Sequence, residues 1–355
     1  MRPQHLTASS SRLAPFSKWQ FAILLFVLPI LLHAQRPRSS VRAVPRTLII
    51  DTDAAGDDLM ALAFLLSRPD IRIEAITIAN GTAHVGPGGR NVLRLLELAG
   101  RRDIPVFLGR ETPPSGGVEF PSEWRKTADD LPGVSLPEPT RQPATQTAAD
   151  YLARRLSDPA HPVQVLALGP LTNLGEVFSR APRAARVVRQ IVFMGGAVRI
   201  PGNLGDGGYF KTQNTAAEWN IFADVSAAKV VFTCGVPLRL VPLDATQRVP
   251  IQTALLEQFE SRGKTPLAHF VGQVLAANRD SIKQGIYFAW DPLAAVALVH
   301  PTVASFKPLS IEISDKAEEL GRTLEMPRRR ANAVVALDAD AEQFRSVFLS
   351  AFGVR

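Results

Sequence analysis

The chain has one cysteine, Cys234, among 355 residues. No intrachain disulfide can form, so a fold placed in an oxidising compartment would have to stand without one. That cysteine lies in the apolar stretch 230–236, a setting for a small core side chain rather than a nucleophile. Acidic residues are absent from positions 1–46. Arg2, Arg12, Lys18, Arg36, Arg38, Arg42 and Arg46 lie there, and together they equal the formal net charge of +7 of the whole chain. The remainder is neutral, which argues against a basic nucleic-acid-binding face on the folded body. The apolar run 21–32 is short of the roughly 20 residues that a membrane-spanning helix needs. After a basic, Ser-rich start it has the length of a signal-peptide core, with cleavage expected after Ala34. Residues 1–34 are thus expected to be a signal peptide and 35–46 a basic linker. Residues 47–355 would form an exported body, periplasmic or secreted, which an uncleaved leader would instead anchor to a membrane. Internal repeats and an interdomain linker are also lacking.

What is present is a concentration of carboxylates. In TLIIDTDAAGDDLMALAFLL, residues 47–66, four aspartates (Asp51, Asp53, Asp57 and Asp58) fall within eight positions. Leu48, Ile49 and Ile50 before them read as a buried strand, and from Leu59 the apolar residues recur at helical spacing. Asp57 and Asp58 could simply cap that helix, but capping leaves Asp51 and Asp53 unexplained. Four carboxylates at one strand-to-helix turn repel one another unless some are protonated or a cation sits among them. A hard, oxygen-ligated ion such as calcium or magnesium is the economical answer.

Strand and helix patterns alternate through the body. Strands are expected at 71–78, 104–108, 163–168, 191–194, 230–232 and 238–241, with helices at 91–98, 146–156, from 171, at 251–282 and at 292–299. The end reads strand, strand, helix, with Arg328, Arg329 and Arg330 in a solvated turn. The segments 111–142 and 201–215 show no period, and the first suits a lid or binding loop. Such alternation predicts an α/β fold with a single open, mostly parallel, Rossmann-like sheet flanked by helices on both faces. Ligands of such sheets bind beyond the carboxyl ends of the strands. That rule sets the Asp cluster, Gly169-Pro170-Leu171-Thr172-Asn173 and Met194-Gly195-Gly196 along one rim.

Together these rim segments resemble the inosine-uridine-preferring nucleoside hydrolase family. The resemblance is carried by DTDAAGDD at 51–58, ALGPLTNL at 167–174, IVFMGGAVRIPGN at 191–203, AAEWNIFAD at 216–224 and WDPLAA at 290–295, in the family's order. It implies hydrolysis of the N-glycosidic bond of ribonucleosides, with Ca2+ at the bottom of the pocket. Asp53, Asp58 and Asp291 would ligate it through side chains and Thr172 through its backbone carbonyl, a donor set that calcium accepts. Asp53 is the expected general base, taking the proton of an acidified, metal-bound water. Asp57 would hydrogen-bond the sugar hydroxyls, and Asp51 would support the ligands from behind. Glu218 and Asn220 would hold the ribose, Glu218 near the 5′-hydroxyl, with Met194 lining the pocket. Relatives are commonly dimers or tetramers, so a homodimer or homotetramer is expected.

The chain departs from the family pattern in several places. Many relatives have proline at the position of Ala54 or Ala55. The asparagine that often follows the second strand is replaced by Thr82 in Ile78-Ala79-Asn80-Gly81-Thr82. The asparagine after the MGG strand is taken as Asn203, with Asn214 as the alternative. Trp290 stands where inosine-uridine enzymes often place a histidine acid, and none of the histidines is assigned a catalytic role. The purine-preferring branch uses aromatic residues that sandwich the base, so Trp290, with Trp124 as the second slice and Tyr287 as a further candidate, leads us to expect purine nucleosides as favoured substrates. Two other readings compete. Leu48-Ile49-Ile50-Asp51-Thr52-Asp53 also fits the opening of haloacid-dehalogenase-type phosphohydrolases, with Asp51 as nucleophile and magnesium as metal, yet that class does not explain Trp290-Asp291. A non-catalytic exported ribose- or nucleoside-binding protein is the other, against which the intact acidic set speaks.

Overall fold

The computed structural model describes residues 46–354; the leader assigned to 1–34 and nearly all of the basic linker lie outside the described residues. Among the described residues ten strands occur in the order β1 Arg46–Thr52, β2 Ile71–Ile78, β3 Val106–Leu108, β4 Val163–Ala167, β5 Val188–Met194, β6 Leu238–Val241, β7 Ala304–Leu309, β8 Ile311–Ile313, β9 Thr323–Glu325 and β10 Ala333–Ala339. Eight of them build one sheet in the spatial order β3-β2-β1-β4-β5-β6-β10-β7. Every neighbouring pair is parallel except β10 with β7, and β8 with β9 forms a separate antiparallel pair. The expected mostly parallel α/β sheet is what the chain forms. Its chain order reverses between β1 and β4, the crevice where open sheets of this kind bind ligands.

The sheet is covered on both faces, so its central strands are apolar throughout rather than alternating. Ile49, Ile50, Val165, Leu166, Ile191 and Val192 are all wholly buried. Helices Gly56–Leu66, Pro266–Ala277 and Trp290–Val299 pack one face, and helices Ala148–Arg155, Thr172–Arg180 and Val225–Thr233 pack the other. Helix Gly56–Leu66 is buried from Asp58 to Leu65 and packs against the sheet and the helix that begins at Trp290. Such a helix is apolar all round because no side of it meets water, and its first turn carries its two acids into the interior.

Four sequence expectations need correction. The strand expected at 230–232 is the end of helix Val225–Thr233. Asp224 caps that helix by accepting from Ala227 N at 3.0 Å, and Ala227, Ala228, Val231 and Phe232 make one helical face; the β-branched residues mimic a strand only when read without the cap. The expected single helical stretch 251–282 is three helices, Thr253–Arg262, Pro266–Ala277 and Arg279–Lys283, broken at Gly263 and Asn278. The aperiodic segment 111–142 contains a helix, Ser122–Asp130, and the end of the chain has four strands rather than two before its last helix.

Asp224 does double duty, since its other carboxylate oxygen accepts from Thr172 Oγ1 at 2.8 Å. Asp224→Ala would remove a cap and leave a buried hydroxyl unpaired. We expect a loss of about 2 kcal/mol of stability, read as a lower urea midpoint with an unchanged m-value; an unchanged midpoint would contradict this account of the helix.

Candidate active site

The acids gather at the carboxyl end of β1, beside the reversal of strand order. Asp51 is the last acid within β1 and is buried, with Oδ1 accepting from Thr77 Oγ1 at 2.6 Å and from Asn173 Nδ2 at 2.8 Å. It thereby ties the end of β2 to the segment that follows β4. Burial pushes its carboxyl up to about 6 despite these two donors. Asp53 follows the strand, and its Oδ2 accepts from Thr82 N at 2.6 Å. Space for its side chain depends on two glycines. A Cβ at Gly169 would come within 2.8 Å of Asp53 Cβ, and one at Gly81 would collide with its carboxylate.

The chain then turns through Ala54 at φ 58°, a left-handed conformation that costs a non-glycine residue about 1–2 kcal/mol and that proline cannot adopt. Ala55, at φ −67°, has a backbone that a proline could adopt. Here Ala55 N donates to Asp58 Oδ2 at 3.1 Å, a bond that proline would lose. Asp58 Oδ1 accepts from Thr52 Oγ1, and Thr52 Oγ1 also receives Ala54 N. The turn is thus folded around the Asp58 carboxylate.

Oxygens of Asp57, Asp58 and Asp291 lie within 4.8 Å of one another. Asp291 enters from the first turn of helix Trp290–Val299. Desolvation and the neighbouring negative charges raise Asp58 and Asp291 well above the usual carboxylate range. Burial, then the charge of Asp53, pushes Asp57 up to about 7, and Asp53 is itself raised by burial. Asp291 Oδ1 is buried and has no hydrogen-bond partner. A carboxylate oxygen in that state, facing two further acids, fits a hard cation, which prefers oxygen donors. Of the ligands expected from the sequence, Asp58 and Asp291 belong to this trio. Asp57 is its third member, while Asp53 adjoins Asp58 with one oxygen held by Thr82 N. Thr172 is buried at the start of helix Thr172–Arg180, beyond the end of β4.

The other side of the rim is set by Glu218 and Asn220. Glu218 Oε2 accepts from Gly196 N at 2.7 Å and Oε1 from Asn220 N at 2.9 Å, so the carboxylate caps its own helix and pins the Gly-Gly turn after β5. Burial pushes it up to about 7. Asn220 Nδ2 donates to Leu168 O at 2.8 Å and Met194 O at 3.1 Å, joining the ends of β4 and β5; Met194 is buried beside it. Asn203 Oδ1 accepts from Trp219 N at 3.1 Å. Asn214 is buried, with its amide donating to Leu320 O and accepting from Ala216 N and Ala217 N, so it is committed to holding its own loop.

Trp290 is half-buried in an aromatic group with Tyr287 and Phe288, ring centroids 5.4 and 5.8 Å away. Tyr287 is buried close enough to Asp57, Asp58 and Asp291 for their charges, after burial itself, to hold its phenol in the protonated form. Trp124 sits apart, edge-on to Trp219 at 5.7 Å and Tyr209 at 6.2 Å. His84 is exposed and bound to Asp129 at 2.6 Å. Sequence reasoning missed Asn173, Asp224 and Arg125. The first two lie within or next to recognised segments, whereas Arg125 gave no signal at all.

The family model described as inosine-uridine preferring nucleoside hydrolase matches residues 48–346. The chain belongs to that family. It is 33% identical over 282 residues to uridine nucleosidase 1 of Arabidopsis thaliana, covering 78% of this chain and 81% of the relative. It is 31% identical over 308 residues to the pyrimidine-specific ribonucleoside hydrolase RihA of Salmonella gallinarum, covering 84% and 95%. A solved plant nucleoside hydrolase superposes with a TM-score of 0.75 at 29% identity, over 88% of this chain and 100% of that one. This nucleoside hydrolase is therefore an N-glycosyl hydrolase acting on nucleosides, of a metal-dependent family.

The raised carboxyl groups carry a consequence for stability. Asp51, Asp57 and Glu218 hold protons in the folded state at pH values where the unfolded chain has released them, so folding is favoured below about pH 4 and that contribution is lost as pH rises through 6–7. In EDTA the melting temperature should fall between pH 5 and pH 8. Added calcium should raise it more at pH 8, where protons no longer compete. Equal stabilisation at both values in a thermal-shift titration would refute the cation site.

Proposed function

We propose that this enzyme hydrolyses the N-glycosidic bond of ribonucleosides with calcium as its metal, releasing ribose and free base, and that it favours purine nucleosides. The observation that supports the metal most directly is the buried, unpartnered Asp291 Oδ1 opposite Asp57 and Asp58. Asp53, Asp58, Asp291 and the Thr172 carbonyl would hold the ion, with Asp57 turned to both ion and sugar. Bound calcium would acidify a water and orient the ribose hydroxyls.

Asp53 is suited to accept the proton of the attacking water. One of its oxygens is fixed by Thr82 N, and Gly81 and Gly169 leave its carboxylate unobstructed. As the bond from the anomeric carbon to the ring nitrogen lengthens, positive charge grows on the sugar, and the acids beneath it stabilise that charge. Glu218, Asn220, Asn203 and Met194 would position the ribose from the β4–β5 side. The electron pair of the broken bond leaves with the base. Trp290, already flanked by Tyr287 and Phe288, offers an aromatic face for a two-ring base, and stacking of this kind is worth about 1–3 kcal/mol. A uridine preference is the second reading, favoured by the names of the relatives from Arabidopsis thaliana and Salmonella gallinarum. The leader would export the enzyme or tether it to a membrane.

A panel of inosine, guanosine, adenosine, uridine and cytidine, assayed for free ribose after chelation and again after adding calcium, tests this reading. Activity should vanish and return, and the purine nucleosides should show the higher kcat/KM. Asp53→Ala should lower kcat by about 1,000-fold. Indifference to the metal, near-normal turnover by Asp53→Ala, or a clear pyrimidine preference would overturn the corresponding part.

A further inference from the structure

Helix Ser122–Asp130 lies over the Asp turn. Ala128 packs with Ala55 of that turn and with Ala83, and Asn91 Nδ2 donates to Ala128 O and Asp129 O at 3.1 and 3.0 Å. Trp124 carries the other end of the helix onto Trp219. Residues three apart on a helix share a face, so Arg125 is turned the same way as Ala128, toward the site. Arg125 is only 3% exposed. Its Nη2 donates to Asn80 Oδ1 at 2.8 Å, and no carboxylate lies within ion-pair distance among the described residues. Nε and Nη1 are buried without any acceptor.

A guanidinium in this condition is costly: it carries an uncompensated charge and three unmet donors out of water. It also borders a cavity of about 440 Å3 that Glu119, Asp129 and Asp130 line but none of the acids of the Asp turn does, and there the other basic side chains are already paired, His84 with Asp129 and Lys126 with Asp130. Asn80, its one partner, is two residues before Thr82, whose N–H holds Asp53, and two residues of chain span at most about 7 Å. Because β2 and β4 lie on opposite sides of β1, Arg125 and the Glu218–Asn220 pair stand on opposite sides of Asp53. A nucleoside gripped at its sugar by one side presents its base to the other.

Resting on the nucleosidase reading, we propose that Arg125 is the residue that receives the carbonyl edge of the nucleobase and stabilises the negative charge it acquires on leaving. Arginine matches such edges well, as its pairing with oxygen and nitrogen acceptors of guanine shows. Uracil, hypoxanthine and guanine carry carbonyl oxygens, and adenine has none. In the step itself the glycosidic C–N bond breaks with its electrons passing to the base, water supplies oxygen to the anomeric carbon and a proton to Asp53, and the base anion takes its proton from solvent. Arg125 stays protonated throughout. This accounts for a site that has Trp290 where a histidine acid stands in relatives.

The test compares Arg125→Met with the wild type on uridine, inosine, adenosine and p-nitrophenyl β-D-riboside, whose nitrophenolate leaves without help. Loss of one charged donor to a developing anion costs about 100-fold or more. We expect that loss in kcat on uridine and inosine, with a loss at least tenfold smaller on the nitrophenyl riboside and a narrowed gap between inosine and adenosine. Arg125→Lys, which keeps the charge but not the fork, should recover part of the rate and guards against a Met variant that fails to fold. Proportional loss on all four substrates, or none, would overturn the assignment. A wild-type protein that cleaves the nitrophenyl riboside but no nucleoside would remove the nucleosidase reading and this inference with it.

Discussion

Mutual repulsion among carboxylates removed from water is the constraint around which this molecule is arranged. Asp51, Asp53, Asp58, Asp291 and Glu218 are all buried, and Asp57 stands beside them. The fold supplies some relief: Asp58 and Asp291 sit in the first turns of two helices that pack on one another. Negative charge near a helix N-terminus gains about 0.3–1 kcal/mol. That is too little, for the same acids remain raised well above their ordinary range. Hydrogen bonds from Thr52 and Ala55 to Asp58, and from Thr77 and Asn173 to Asp51, lower the cost further without removing it. What is left has the sign that a cation would answer, and Asp291 Oδ1, buried without a hydrogen-bond partner, faces the other acids.

The scaffold is built to hold that arrangement against its own repulsion. Asp51 ties the end of β2 to the segment that follows β4, Asn220 joins the ends of β4 and β5, and Asp224 binds Thr172 while capping a helix on the outer layer. Each polar side chain therefore bridges backbone pieces far apart in the chain. The strained backbone at Ala54 belongs to the same scheme. Its left-handed turn, buried on all sides, redirects the chain between Asp53 and Asp58 within a few residues, so one strand end delivers several acids to one point.

These features also decide what could be read from the sequence. The βα alternation and the Asp turn were legible because both are local: periodicity reports burial of one face, and a cation site drawn from one turn leaves its acids adjacent in the chain. Asp291 and Thr172 enter the expected ligand set only through motifs, since nothing local ties them to residue 53. Helix Ser122–Asp130 leaves no periodic trace because SEWRKTADD buries little of its own surface. Its anchors, Ala128 on Ala55 and Arg125 on Asn80, are contacts across distant parts of the chain with no period to betray them. Helix Val225–Thr233 was misread for the opposite reason, three strand-favouring residues outvoting a cap whose evidence was one aspartate.

The two halves of the reaction are thus encoded differently. The sugar and its metal would be served by residues from strand ends and helix first turns, where geometry is fixed by the sheet and tolerates little change; a single β-carbon at Gly81 would collide with Asp53. In the proposed reading the leaving base would be served by Trp290 and by a helix inserted after β3, an element whose position depends on a handful of side-chain contacts. Substitution in that element can retune which base departs without disturbing the acids beneath the ribose. A family that shares one metal-centred chemistry while its members bear names for different nucleosides is what this division of labour would produce.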